Sequence, residues 1–253
     1  MTAFNLMGLI STVALCLPII MLFTTKLCWY RSFPALLFYY LFVLSYNLLL
    51  MGYLDADTRF MYYHGVFNNL MDTPLMLGFL LYFSQTPAFR KKLLIVIAGF
   101  LAFELIVLAM YGFTAVATTI ILAPGLLITL VISLLFFIHQ VKIAVMHHKA
   151  IGKAIIAASL LFAYVGYCFV YAVFYLIQPV FKNDAHLVFF LITIFSSISI
   201  SIGIVLERKR VKQLLELQTT RQELKAIYGS QEVKKRANPF EAATLNFDKE
   251  HWN

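Results

Sequence analysis

Long runs of apolar residues, separated by short polar connections, dominate the first 206 positions of the chain. Each run is close to the roughly 20 residues that an α-helix needs to cross the hydrocarbon core of a bilayer. These runs predict seven transmembrane helices, at approximately Leu6–Thr25, Phe33–Leu54, Met61–Phe83, Leu93–Gly112, Val116–Phe137, Ala154–Ile177 and Leu187–Leu206. Because the connections are short, we expect residues 1–206 to form one all-α bundle with no domain between its helices.

The composition also indicates a polytopic membrane protein. Hydrophobic residues make up 62% of the chain and charged residues 13%, whereas soluble domains carry about 25% charged residues. The three cysteines are scattered, so they indicate neither a disulfide framework nor a zinc site. The formal net charge of +8 fits basic loops beside anionic lipid headgroups, and we expect no binding to nucleic acid.

The distribution of lysine and arginine predicts the orientation of the helices. Cytoplasmic loops of membrane proteins carry an excess of these residues. Eight of them flank the loops after helices 1, 3 and 5, namely Lys26, Arg31, Arg90, Lys91, Lys92, Lys142, Lys149 and Lys153. Only Arg59 and Lys182 flank the loops on the other side. We therefore expect an outer amino terminus, a cytoplasmic carboxyl terminus and residence in the plasma (cytoplasmic) membrane.

Polar and charged residues replace the apolar pattern from Glu207 onward. An apolar seam at helical spacing, interrupted by Arg221, consists of Leu214, Leu217, Leu224 and Tyr228. The seam predicts that residues 207–229 continue helix 7 as an amphipathic helix, which either lies on the membrane surface or forms a dimerising or signalling stalk. Residues 230–253 are expected to be disordered around a Pro-nucleated turn, and a cytoplasmic protein partner would bind through residues 207–253.

Two carboxylic acids, Asp72 and Glu104, fall inside the predicted spans. Ionisable residues are costly in a bilayer and are therefore candidates for function. Asn68 and Asp72 are four residues apart and share a helix face, which Thr73 extends. This group predicts either the wall of a polar cavity or a set of hydrogen bonds that only holds neighbouring helices together.

Helices 2, 6 and 7 supply further polar groups. The sixth carries an aromatic stripe at helical spacing, formed by Tyr164, Tyr167, Tyr171 and Tyr175. Rings with hydroxyl groups suit a pocket for a flat or elongated apolar ligand, although they also pack well in a core. Tyr46 and Asn47 of helix 2 are expected to face the same space, whereas the serines of helix 7 favour close helix packing.

Three segments together resemble the microbial rhodopsins, which are seven-helix retinal proteins. The segment Asp72-Thr73-Pro74-Leu75-Met76-Leu77 looks like the Thr-Thr-Pro-Leu-Leu-Leu segment of their third helix, which contacts retinal. The segment Tyr171–Ile177 is similar to the Tyr-Pro-aromatic stretch of the sixth helix, and Gly203–Arg208 resembles the end of the seventh. The resemblance nominally covers residues 1–210 and implies a seven-helix fold with an interior cavity.

The chain departs from this family at the positions that carry its chemistry. The lysine that binds retinal corresponds to Ser199, and no lysine lies between Leu187 and Leu206, so we expect neither covalent retinal attachment nor light-driven pumping. The helix-3 counterion and the helix-7 aspartate correspond to Asn68 and Phe195. The resemblance still implies a cavity for a non-covalent ligand, lined by Asn68, Asp72, Thr73, Tyr171, Tyr175 and Ser199.

These observations predict a non-enzymatic, receptor- or sensor-like protein that binds a small apolar ligand or lipid and needs neither a cofactor nor a metal. One alternative is a proton- or ion-coupled transporter that uses Asp72 and Glu104. Another is an intramembrane lipid hydrolase using Ser45, His64 and Asp72, but helix 7 lacks the histidines that a catalytic zinc would require.

Overall fold

A computed structural model describes residues 3–84, 87–147, 150–174 and 182–228 of the chain. All regular structure in these ranges is helical. A short 3-10 turn, Leu81–Phe83, follows the third helix. The α-helices are α1 Ala3–Thr24, α2 Phe33–Leu50, α3 Thr58–Leu80, α4 Pro87–Tyr111, α5 Ala115–His147, α6 Ile151–Ala172 and α7 Lys182–Tyr228. The end predicted for helix 6 at Ile177 and the tail 230–253 lie outside the described residues.

Six helices, α1, α2 and α4 to α7, are long and apolar enough to cross a membrane. The prediction of a helical membrane protein is confirmed at this level. The exception is α3, whose 23 residues would extend about 35 Å, enough for the hydrocarbon core of about 30 Å. Its hydropathy is reduced by polar side chains, among them Asn68, Asn69 and Asp72. The crossing of α3 and the orientation of the bundle stay predictions.

The packing of the helices brings the first helix, α1, into contact with the last, α7. Helix α1 contacts α2 and α7, and α6 contacts α5 and α7. Helix α3 contacts α2, α4 and α5, whereas α4 packs chiefly against α3 and α5. Large apolar side chains of α4, such as Ile95, Leu105 and Met110, are exposed. An apolar outer surface of this kind suits contact with lipid rather than water.

A large aromatic core lies where α3 ends and α2 begins. Phe33 of α2 and Phe79 of α3 are fully buried, with ring centroids 5.4 Å apart in an edge-to-face arrangement. Tyr82, in the turn after α3, packs edge-to-face on Phe33 at 4.9 Å. Such ring pairs add to the stabilisation from buried area. They fix the end of α3 relative to α2.

Helix α7 is one unbroken helix of 47 residues, about 70 Å long at 1.5 Å per residue. Its last residue in the hydrophobic core is Val211, so the packed part of α7 extends beyond the predicted boundary at Leu206. We refer to residues 212–228 as the stalk. Leu217 and Leu224 of the predicted apolar seam are both exposed there.

Candidate functional site

Asp72 lies at the centre of the bundle, and α3 and α6 meet at its side chain. The Tyr164 hydroxyl of α6 donates a hydrogen bond to Asp72 Oδ2 at 3.3 Å. Tyr39 of α2 lies close to the same carboxyl group. Hydrogen-bonding partners of this kind are what a carboxyl group needs away from water. Asp72 therefore connects three helices through polar contacts.

Four tyrosines line one small cavity near this carboxyl group, and we call them the tyrosine cluster: Tyr39 and Tyr40 of α2, and Tyr164 and Tyr167 of α6. The rings pair edge-to-face within each helix, with centroids 5.2 Å apart in α2 and 5.8 Å apart in α6. Tyr164 is fully buried, and Tyr39 and Tyr40 nearly so. The hydroxyl groups and Asp72 thus form a polar centre inside an apolar bundle.

Helix α7 completes the wall of a small cavity beside the tyrosine cluster. Its contributing residues are Thr193, Ser196, Ser197 and Ile200. The cavity volume is about 10 Å³, space for about one water molecule. Pockets for drug-sized ligands have volumes of roughly 300–1,000 Å³. An apolar ligand of that size would therefore require the surrounding side chains to move.

The residues predicted to line one cavity do not share one wall. Thr73 is buried on the side of α3 that faces α5, where its side chain packs against Gly125. The Tyr171 hydroxyl donates to the backbone oxygen of Thr119 in α5 at 3.1 Å. Both side chains contact α5, whereas Asp72 contacts α6. The expected set is therefore divided between two sides of the bundle.

The other three residues predicted to line the cavity are Asn68, Ser199 and Tyr175. Asn68 is half-buried, and no described residue hydrogen-bonds to its Oδ1. Ser199 is half-buried but is not part of the cavity wall, to which α7 contributes Ser196 and Ser197 instead. Tyr175 lies outside the described residues.

The prediction that Asn47 of helix 2 faces the same space as the tyrosines of helix 6 is wrong. The Asn47 amide donates to Thr12 Oγ1 of α1 at 2.9 Å, and Thr12 donates to the backbone oxygen of Gly8 at 2.8 Å. Asn47 therefore holds α1 and α2 together. The polar centre instead receives Tyr39 and Tyr40, two adjacent tyrosines whose only signal in the sequence is their place within an apolar helix.

Ser45 and His64 form a pair near the other end of α3. Ser45 Oγ and His64 Nε2 are 2.9 Å apart, and the serine hydroxyl also donates to the Phe42 backbone oxygen at 2.8 Å. Its one proton is thus directed at a carbonyl rather than at the histidine. Asp72 is eight residues away, about 12 Å along the helix, and does not orient His64. No three His, Cys, Asp or Glu side chains of the described ranges form a metal site.

Glu104 of α4 is the second acid within a predicted span. It is buried on the helix face that also carries Phe100 and Val107, both part of an apolar cluster with α3 and α5. None of the described residues hydrogen-bonds to its Oε1. A charged carboxylate is costly in such surroundings.

A second polar cluster lies at the base of the stalk, and sequence analysis missed it. Glu207, interpreted as the first residue of the tail, is fully buried. It accepts a hydrogen bond from Tyr82 and pairs with Arg210, whose Nε lies 3.5 Å from Oε1. Lys153 of α6 places its ammonium group 4.4 Å from the centre of the Tyr82 ring. We call these four residues the Glu207 cluster.

No protein-family model, curated protein or solved structure matches this chain. The fold alone therefore defines its class. The described residues are helical wherever they form regular structure, and their six long apolar helices are those of an integral membrane protein.

Proposed function

We propose that the chain is a non-enzymatic seven-helix membrane protein of receptor or sensor type, with its amino terminus outside and its stalk in the cytoplasm. The observation that supports this most strongly is the contact between Asp72 and Tyr164 beside a cavity lined by α7. The polar groups of the interior thereby lie beside α7, the helix that continues into the stalk.

Helix α7 provides the physical route from the polar centre to the tail. Ser196 and Ser197 line the cavity, and the same helix continues without interruption to Tyr228. A ligand shifts a conformational equilibrium only if it binds one arrangement better than the other. A ligand that separated the tyrosine cluster from α7 would favour a different position of α7, and the stalk would change with it.

The ligand we propose is small, mainly apolar and bound without a covalent bond. The aromatic wall suits an apolar body, and Asp72 with the tyrosine hydroxyls suits a single polar group. The narrow cavity means that binding opens the bundle. Helix 7 offers no lysine between Leu187 and Leu206 for a retinal adduct. Output would pass to a separate cytoplasmic protein through residues 207–253.

Mass spectrometry of purified protein tests this proposal, because it detects a bound molecule whatever its identity. The parent protein should retain a small apolar molecule that is absent from bulk lipid. Asp72→Asn should fold yet retain less of it, because the amide preserves hydrogen bonding but removes the charge. Asp57→Asn, in the exposed loop before α3, is the matched control and should behave like the parent. Equal retention in all three, or none in the parent, would refute the proposal.

A second candidate, proton- or ion-coupled transport, is favoured by Glu104, a buried acid with no hydrogen bond to Oε1 from the described residues. Intramembrane acids of this kind serve as proton relays in transporters. Proton-driven uptake into vesicles that is lost in both Asp72→Asn and Glu104→Gln would favour transport over reception.

A further inference from the structure

The Glu207 cluster joins three segments at the point where α7 leaves the bundle. Tyr82 belongs to the turn that ends α3, Lys153 to the first turn of α6, and Glu207 and Arg210 to α7. Glu207 follows Ser197 by ten residues, about 15 Å along the helix. Val211, the last core residue of α7, lies one turn further on. Any change in α7 that starts at the cavity must pass this cluster before it reaches the stalk.

Close packing of the backbones holds Glu207 in place. A Cβ atom on Gly152 of α6 would lie 2.6 Å from the Glu207 backbone nitrogen and 3.0 Å from the Gly203 carbonyl oxygen. Only glycine at position 152 permits this approach of α6 to α7. The Glu207 side chain is fully buried beside this contact, where an unpaired charge would be strongly destabilising.

Two complementary charged atoms in the cluster are not bonded to each other. No described residue hydrogen-bonds to Glu207 Oε2. Lys153 is only 8% exposed, and its Nζ lies over the Tyr82 ring. Arg31 and Arg210 add positive charge around Lys153. Since lysine has a flexible four-carbon stem, the ammonium group has two alternative partners within the cluster, the ring and Oε2.

We propose that the Glu207 cluster is a latch, which fixes the base of the stalk to α3 and α6 and whose release lets the stalk change its orientation. The Glu207 carboxylate is the partner that the other three residues share. Tyr82 contacts it from the turn after α3 and Arg210 from α7, and Lys153 of α6 would contact it when its side chain leaves the ring. Loss of the carboxylate charge removes the electrostatic attraction that holds Lys153 and Arg210 beside Glu207. This inference rests on the proposed function only in assigning the output to the stalk.

Pulsed electron spin resonance distances between two spin labels test the latch. One label is placed at Leu215 of the stalk and one at Arg90 of α4, both exposed, in a chain whose three cysteines are replaced by alanine. Glu207→Gln should shift the stalk distance or add a second distance population. Tyr82→Phe, which removes the hydrogen bond but keeps the ring, should act in the same direction and provides the test where Glu207→Gln does not fold.

The matched control is Glu216→Gln, which removes an exposed stalk carboxylate that pairs with Lys212 at 3.7 Å. It should leave the stalk distance as in the parent. A second label pair within the bundle, at Leu94 and Phe162, should be unchanged in every variant, because a purely structural defect would move it as well. Unchanged stalk distances in folded Glu207→Gln and Tyr82→Phe would refute the latch and leave the ligand proposal intact. A ligand test that fails while the stalk distances shift would refute the receptor and retain the latch.

Discussion

Asp72 is the acid group at the centre of the bundle, and its hydrogen bond from Tyr164 links α3 to α6. An amide at this position can still accept that bond through its oxygen. We therefore expect Asp72→Asn to change the free energy of unfolding by about 1 kcal/mol or less, as for other interhelical hydrogen bonds in membranes. Asp72→Leu leaves the Tyr164 hydroxyl buried without its acceptor and should cost about 1–3 kcal/mol.

Thermal unfolding of both variants in detergent measures this difference. If Asp72→Asn were as destabilising as Asp72→Leu, the negative charge itself would be required for folding. The proposed separation between the fold and the ligand site would then be wrong at this residue.

Single residues were partly predictable at the centre of the bundle. Asp72 could be identified because an acid in an apolar helix is rare and costly. Its partner Tyr164 was recognised only as part of a stripe, because a pairing across helices depends on how each helix is rotated. Successive residues of an α-helix are about 100° apart. For this reason Thr73 faces α5 although Asp72 faces α6, and Ser196 and Ser197 line the cavity although Ser199 does not.

At the scale of the elements, the contact between α6 and α7 depends on small residues. A methyl group on Gly152 would meet backbone atoms of Glu207, which cannot rotate away as a side chain can. We expect Gly152→Ala to destabilise the protein by about 1–3 kcal/mol, the usual cost of overpacking. Thermal unfolding in detergent, compared with the parent, is the measurement.

Gly99 provides the matched control for this substitution. It lies in α4, and a Cβ there would meet nothing within 4 Å. Gly99→Ala should be neutral or slightly stabilising, because alanine has the higher helix propensity. Equal stability losses at both positions would show that the close approach of α6 to α7 is not the cause.

The helices were predictable as elements, but their ends were less so. Apolar runs show only the part of a helix that contacts lipid or core, whereas backbone hydrogen bonding continues through polar residues. Helix α5 accordingly reaches His147 rather than the predicted Phe137, and the packed part of α7 reaches Val211 rather than Leu206. The Glu207 cluster could not be predicted, since it joins positions that are more than 50 residues apart in sequence and depends on the approach of α6 to α7 at Gly152.

For the whole molecule, the proposed function depends on whether α3 crosses the membrane. Six helices have the apolar character of spans, and α3 is the polar helix that carries Asp72. If α3 crosses, the loops before and after it lie on opposite sides of the bilayer. If it does not, Asp72 is not a residue of the membrane interior, and the orientation of all later helices is reversed.

The most direct measurement is labelling of single cysteines in intact cells with a maleimide that does not cross membranes. Cysteines are placed at Asp57, before α3, and at Arg90, in the first turn of α4, both exposed, in a chain without its native cysteines. Position 57 should react from outside, whereas position 90 should react only after permeabilisation, as should a cysteine at Leu215 in the stalk. Labelling of positions 57 and 90 from the same side would contradict a seven-helix bundle with Asp72 at its centre.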